Sequence, residues 1–223
     1  YSEPEPGLDN RKFPLLHGKI MGGSSSINGL VHVRCSPTDY NTWEKMGAEG
    51  WGYEDVLPYF KKYEHDHRGE TKYHGGQGPI GIELAQWKNP LADEFITAVV
   101  ESLGVARNND FNGPTLPGAG YWDLTTWKGQ RSSTSACYIK PNRDRPNLTI
   151  ISKALSTKIE FEGKSAESII YEQDGKLHRV KANREIILSA GALMTPQLLQ
   201  LSGVGPADLL KKNGIEVLID LKG

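Results

Sequence analysis

Two runs of small residues carry the candidate chemistry of this chain. The first is Gly18-Lys-Ile-Met-Gly22-Gly23-Ser24-Ser25-Ser26-Ile27-Asn28-Gly29. Paired glycines let a backbone approach a ligand and adopt positive φ. Neighbouring serines are N-cap residues that open helices, and a helix start with free N–H groups seats a phosphate. The run reads either as a loop-to-helix turn that holds a diphosphate, or as a tight turn with a capped helix and no ligand. It is neither a Walker loop nor a G-x-G-x-x-G. The second run is Ser189-Ala190-Gly191-Ala-Leu-Met-Thr-Pro196, which follows the apolar segment Arg184–Leu188. Small residues at a strand-to-helix turn permit close approach of a cofactor at the carboxyl end of the strand. Tight helix–sheet packing asks for the same residues.

Other chemistry-bearing side chains have weaker patterns. His65-Asp66-His67 with His74 offers metal-ligand types, but no Cys or Glu completes a set and the segment 65–78 reads as exposed polar loop. No metal site is expected. His32 and His178 lie in strand-like runs and read as exposed or internally satisfied. Asp39 and Glu44 read as a capping pattern. Trp43, Trp51, Tyr53, Tyr59 and Phe60 read as packing. Arg131, after Gly129, reads equally as a group that fixes substrate or flavin and as one half of a buried ion pair. Asn147-Leu-Thr149 fits a glycosylation sequon or a simple turn.

Several elements must position these groups. Val56, Leu57, Tyr59 and Phe60 predict a helix over 53–64, which Pro58 opposes. Asn89 as N-cap, Pro90 in the first turn, an apolar stripe at Leu91, Phe95, Ala98, Val99 and Leu103, and Gly104 as stop predict a second. Strands are expected at 148–152, 157–161, 168–171, 177–181, 185–189 and 215–219, and helices at 195–201 and 207–213.

Composition narrows the class. The 223 residues carry 26 Lys+Arg against 27 Asp+Glu, a net charge of −1, which argues against binding nucleic acid or an anionic membrane through bulk charge. With 37% hydrophobic and 24% charged residues, a packed core is expected. No apolar run approaches the roughly 18 residues of a membrane span. Cys35 and Cys137 are too few for a disulfide scaffold. Nothing in the sequence fixes a compartment.

Together the two runs resemble the signature segments of the glucose–methanol–choline (GMC) family of FAD-dependent oxidoreductases. His17–Leu30 reads HGKIMGGSSSINGL and Ser189–Pro206 reads SAGALMTPQLLQLSGVGP. Between them, Asp39–Trp43, Gly50–Phe60, Asp110–Gly113, Gly129–Ser133 and Arg145–Leu148 are similar to the family in order, so the resemblance covers essentially the whole chain. It implies a mixed α/β fold, with part of a Rossmann-like FAD-binding domain and part of an antiparallel-sheet substrate domain. Segments 1–64 and 151–223 would belong to the former and 65–150 to the latter.

The resemblance also implies a site. Gly22, Gly23 and Ser24 would line the diphosphate and flavin side of FAD, and Asn28 and Gly29 would approach the isoalloxazine ring. Ser156 would offer a main-chain contact to adenine, and Ala190 and Gly191 would flank the ribose and diphosphate. Some members link FAD covalently through a histidine where this chain has Ile27, so the cofactor is expected to be non-covalent. His17 stands where the family usually has arginine. The implied reaction is oxidation of a small alcohol to a carbonyl, with oxygen or a quinone-like acceptor. A lyase that keeps FAD structurally, and an inactive interaction module, are the alternatives.

Two family features find no match here: the N-terminal G-x-G-x-x-G unit and the C-terminal catalytic histidine with its histidine or asparagine partner. The chain is therefore expected to be an internal portion of a longer enzyme with no catalytic residue of its own. Alone, it is expected to hold FAD poorly and to be inactive.

Overall fold

The computed structural model describes residues 1–222, which form two compact units, one ending at Leu148 and one starting at Thr149. Helix α1 (Pro37–Lys45) in the first unit starts at a capping box, in which Ser36 Oγ accepts from Asp39 N and the Asp39 carboxylate accepts from Ser36 N. Helix α2 (Tyr53–Tyr63) forms despite Pro58 in its interior. Burial of one face compensates for the lost hydrogen bond: Tyr53 and Leu57 pack with Tyr40 of α1, flanked by Val56 and Phe60. Of the expected packing aromatics, Trp43, Trp51 and Tyr59 are exposed, although Trp43 meets Tyr40 edge-on at 5.2 Å.

Helix α2 runs directly into β1 (Glu64–Asp66), which pairs in parallel with β2 (Ile80–Leu84). The expectation of an exposed loop over 65–78 is therefore wrong at its start and around His74. Asp66 and His74 are buried, and polar side chains go inside there because they meet opposite charges. Helix α3 (Pro90–Leu103) has the expected caps: Asn89 Oδ1 accepts from Leu91 N at 3.0 Å, and Gly104 is left-handed at φ +62°. Its expected apolar stripe is not its buried face, since Leu91, Phe95 and Leu103 are exposed and Ile96 is buried instead. Strand β3 (Asp123–Leu124) pairs antiparallel with β2. Strands β4 (Thr126–Trp127) and β5 (Gln130–Arg131) form a hairpin through Lys128 and Gly129, both at positive φ as its two-residue turn requires.

The second unit is built on an antiparallel meander of β6 (Leu155–Glu162), β7 (Ser165–Gln173) and β8 (Lys176–Lys181). Asp174-Gly175, both left-handed, close its second hairpin. Helix α4 (Met194–Leu201) lies against β6, where Ser202 Oγ accepts from Ile159 N at 2.8 Å. After it come β9 (Val204–Gly205), α5 (Ala207–Lys212) and β10 (Ile219–Asp220), with β9 and β10 parallel.

The fold is mixed α/β with several small sheets, as the resemblance implied. Three expected strands differ. Residues 148–152 and 185–189 join no ladder, and of 215–219 only Ile219 pairs. A strand exists only where a neighbour takes up its N–H and C=O groups in a ladder, and among the described residues no strand pairs with 148–152 or 185–189.

Candidate functional site

Residues Gly23–Ser26 form a single 3₁₀ turn, and no α-helix follows it. No α-helix dipole therefore stands behind the run, because four residues at 3₁₀ geometry sum to little dipole. The glycines divide by what surrounds them. A Cβ on Gly22 would stand 2.5 Å from Ser26 Oγ and 3.0 Å from Ser135 Cβ, and one on Gly18 would stand 2.2 Å from Gly23 O. Those two are required by the packing of the chain on itself. A Cβ on Gly23 or Gly29 would meet nothing within 4 Å. Gly23 still needs its left-handed φ of +54°, but Gly29 is not left-handed either. Nothing inside the chain requires glycine at 29, so its open side is free for a group from outside. Ser24 Oγ accepts from Gly18 N at 3.2 Å, and Asn28 Oδ1 accepts from Leu30 N at 3.2 Å. Exposed Ile20, Met21, Ile27 and Val31 border the turn.

The turn is pinned from one side by residues more than 100 positions later. Arg131 Nη1 donates to Asn28 Oδ1 at 2.7 Å, to Asn28 O at 2.9 Å and to Ser25 O at 3.2 Å. Thr134 N donates to Ser25 Oγ at 3.0 Å, and Thr134 Oγ1 donates to Gly22 O at 3.3 Å. Of the two sequence readings of Arg131, the buried ion pair is not what forms. Among the described residues no carboxylate lies within 4 Å of its guanidinium, and its partners are neutral oxygens of the glycine–serine turn.

The remaining expected site residues lie in the second unit. Ser156 is on β6, an edge strand, paired with Tyr171 of β7. Ala190 and Gly191 form an exposed turn before α4, closed by Ala190 N donating to Thr195 Oγ1 at 3.1 Å and Thr195 N donating to Gly191 O at 3.0 Å. Gly191 is left-handed at φ +93°, and a Cβ there would meet nothing within 4 Å.

A second concentration of charge sits in the first unit, between α2, β1 and the 67–74 loop. Glu64 is fully buried, ion-paired with Arg34 and 2.8 Å from His32 Nε2. His74, 1% exposed, faces three carboxylates: Asp110 at 2.9 Å from Nε2, and Asp66 at 3.2 Å and Glu64 at 3.4 Å from Nδ1. Arg68 bridges Asp66 at 2.9 Å and Asp123 at 2.5 Å. Burial alone would raise the Glu64 carboxyl, but hydrogen bonds from His32, His74 and Arg34 hold it well below the usual range. Burial alone would lower His74, but hydrogen bonds to Asp110 and Glu64 raise it to about 9. One ligand atom from each of Glu64, Asp66 and His74 fits within a 4.8 Å cluster. Both carboxylates already face guanidinium groups, so the cluster reads as an ion-pair network that ties β1 to the loops.

Sequence reasoning missed this network because Glu64 lies outside the polar run and Arg34 lies 30 residues before it. His32 was read as exposed or satisfied, and it is satisfied. The Asp110–Gly113 motif turns out to brace the same region: Asn112 accepts from Arg34 N at 2.9 Å and donates to His32 O at 3.0 Å. Thr134 had one available signal, its place directly after the Gly129–Ser133 motif.

Comparison with known proteins bears out the family resemblance. The profile of the GMC oxidoreductase family matches residues 6–215. The chain is similar to an oxygen-dependent choline dehydrogenase of Rhizobium meliloti (strain 1021), at 46% identity over 222 residues, covering 100% of this chain and 40% of that protein. Among solved structures, pyridoxine 4-oxidase from Mesorbium loti matches 98% of this chain and 43% of its own, with a TM-score of 0.90 at 33% identity. An FAD-dependent oxidoreductase from Chaetomium thermophilum matches 99% and 40%, with a TM-score of 0.91 at 30% identity. The chain thus spans 40% of the length of the curated relative.

Proposed function

The chain belongs to the GMC oxidoreductase family, and on that premise we propose that it forms part of the FAD-holding body of an enzyme that oxidises a small alcohol to a carbonyl compound. The observation that carries this reading is the Gly22–Gly29 turn, pinned from one side by Arg131 and Thr134 while Gly23 and Gly29 open outward. The exposed apolar rim of Ile20, Met21 and Ile27 suits a flat, largely apolar ring system.

In this reading Gly22, Gly23 and Ser24 line the diphosphate and flavin side of FAD, and Asn28 and Gly29 approach the isoalloxazine ring. Ser156 contacts adenine through its main chain, and Ala190 and Gly191 flank the ribose and diphosphate. Segments 1–64 and 151–223 supply cofactor contacts, and 65–150 contributes to the substrate side. When bound, FAD accepts the hydride from the alcohol carbon. The chain's own task is orientation: an open, pre-shaped turn with Ile27 in place of a histidine holds the cofactor without a covalent bond. The chain's buried histidines do not serve as the proton-abstracting base, since His32 and His74 are both engaged by carboxylates. That base is assigned to a part of the whole protein other than these residues.

The similarity to choline dehydrogenases makes choline the first substrate to test, with oxygen or a quinone-like compound as acceptor. The test uses full-length protein, freed of unbound flavin. A retained flavin band that bleaches on anaerobic addition of choline or another small alcohol is the expected result. A colourless protein that takes up no added FAD removes the cofactor reading. A yellow protein that no alcohol bleaches removes the oxidation reading.

A further inference from the structure

We propose that Arg131 is a positioning residue for the flavin, acting through the Gly22–Asn28 turn rather than by touching substrate. This rests on the FAD reading above. One guanidinium nitrogen engages three oxygens in the second half of the turn, Ser25 O at 3.2 Å, Asn28 O at 2.9 Å and Asn28 Oδ1 at 2.7 Å. Asn28 and Gly29 are the residues assigned to the ring, so Arg131 sets where they stand. Thr134 fixes the other half of the turn through Ser25 Oγ and Gly22 O. Gly22 itself lies against Ser135, with no room for a side chain between them. The segment 131–135 is therefore a continuous clamp on the turn.

The clamp has a firm base. Arg131 ends the β4–β5 hairpin, and the hairpin tip is held by Glu83 of β2, whose carboxylate accepts from Lys128 N at 3.1 Å and Gly129 N at 3.2 Å. Position is thus transmitted from the β1–β2–β3 sheet to the turn through one hairpin. Charge gives Arg131 a second reason to be arginine. Hydrogen bonds from an ionised donor are roughly twice as strong as neutral ones. Its own partners are neutral, so the cation stays uncompensated by any carboxylate within 4 Å among the described residues. A turn carrying an unspent positive charge suits an anionic occupant, which the diphosphate of FAD is. Lysine would keep the charge but not the reach or the planar donor geometry.

The experiment measures FAD dissociation, the flavin absorption and fluorescence of the holoenzyme, and the unfolding temperature of the flavin-free form, all in full-length protein. Arg131→Ala is expected to weaken FAD binding at least tenfold and to alter the flavin spectrum, with the unfolding temperature of the flavin-free form nearly unchanged. Arg131→Lys is expected to recover part of the affinity, and Thr134→Val to lose affinity in the same direction by a smaller factor. Arg143→Ala, an exposed control, is expected to match the wild type. Equal FAD affinity and spectrum in wild type and Arg131→Ala overturns the inference while leaving the FAD reading intact. So does a fall in unfolding temperature that accounts for the whole loss and that lysine does not relieve. A wild type that binds no FAD overturns both. If Arg131→Ala fails to fold, Arg131→Lys and Thr134→Val decide, and wild-type affinity in both overturns the proposal.

Discussion

At the scale of single residues, His74 is the side chain whose environment departs furthest from what its neighbours in sequence suggest. It sits in HGGQG, a polar and glycine-rich run, yet it is buried between Asp110, Asp66 and Glu64, with Arg34 and Arg68 on the far side of those carboxylates. Its pKa is raised from 6.5 to about 9, while Glu64 and Asp110 are lowered despite their burial. The signs then follow. A raised histidine adds stability that is complete below pH 6.5 and disappears as pH climbs through 9. Lowered carboxylates add stability that is present above their ordinary values and disappears as pH falls through the native ones. Urea unfolding of the full-length protein is expected to show a plateau between about pH 4.5 and 6.5, then a decline on the order of 3 kcal/mol toward pH 9. His74→Gln is expected to flatten the alkaline limb. An alkaline limb with unchanged slope in that variant would remove His74 as its source. None of this was legible residue by residue. Polar types are read as exposed because most are, and only proximity to partners 8, 10 and 36 positions away makes burial favourable.

At the scale of elements, local signals that depend on a few adjacent residues were readable. The Asn89 and Gly104 caps form where sequence places them, and Asp39 does cap a helix, though its partner is Ser36 and not Glu44. Their energetics are settled within one turn of chain. Signals that depend on a neighbour were not readable. The apolar run at 185–189 has strand composition, but no strand pairs with it and Ile187 is 77% exposed. The glycine–serine turn lies between these cases. Its sequence announces a special backbone, but which glycines serve the chain and which serve a ligand depends on Ser135 and on open space. That division is testable. Gly22→Ala is expected to cost about 1–2 kcal/mol of stability from its left-handed backbone alone, and more from the contact with Ser26 and Ser135. Gly29→Ala is expected to leave stability within about 0.5 kcal/mol and to weaken FAD binding in a flavin titration. Wild-type affinity in Gly29→Ala would mean that its open side faces only solvent.

At the scale of the whole molecule, each unit leaves large apolar side chains exposed, among them Leu91, Phe95 and Leu103 along α3 and Leu193 beside the second signature run. A polypeptide of these 223 residues produced alone is expected to bind a hydrophobic dye strongly, to self-associate in sedimentation and to retain no FAD after desalting. A monodisperse, yellow preparation would contradict that and would show that the two signature runs suffice. Among the described residues no helix is long and apolar enough to cross a membrane. The sequence by itself determined the family resemblance, the mixed α/β class, the caps and tight turns, and the two small-residue runs, because each is written in residue types at fixed short spacing. Only the tertiary structure decided that Arg131 grips the first run, that Glu64 and His74 are buried together, and that α3 turns its apolar stripe outward. Each of these depends on groups distant in the chain meeting in space, and no local pattern encodes that distance.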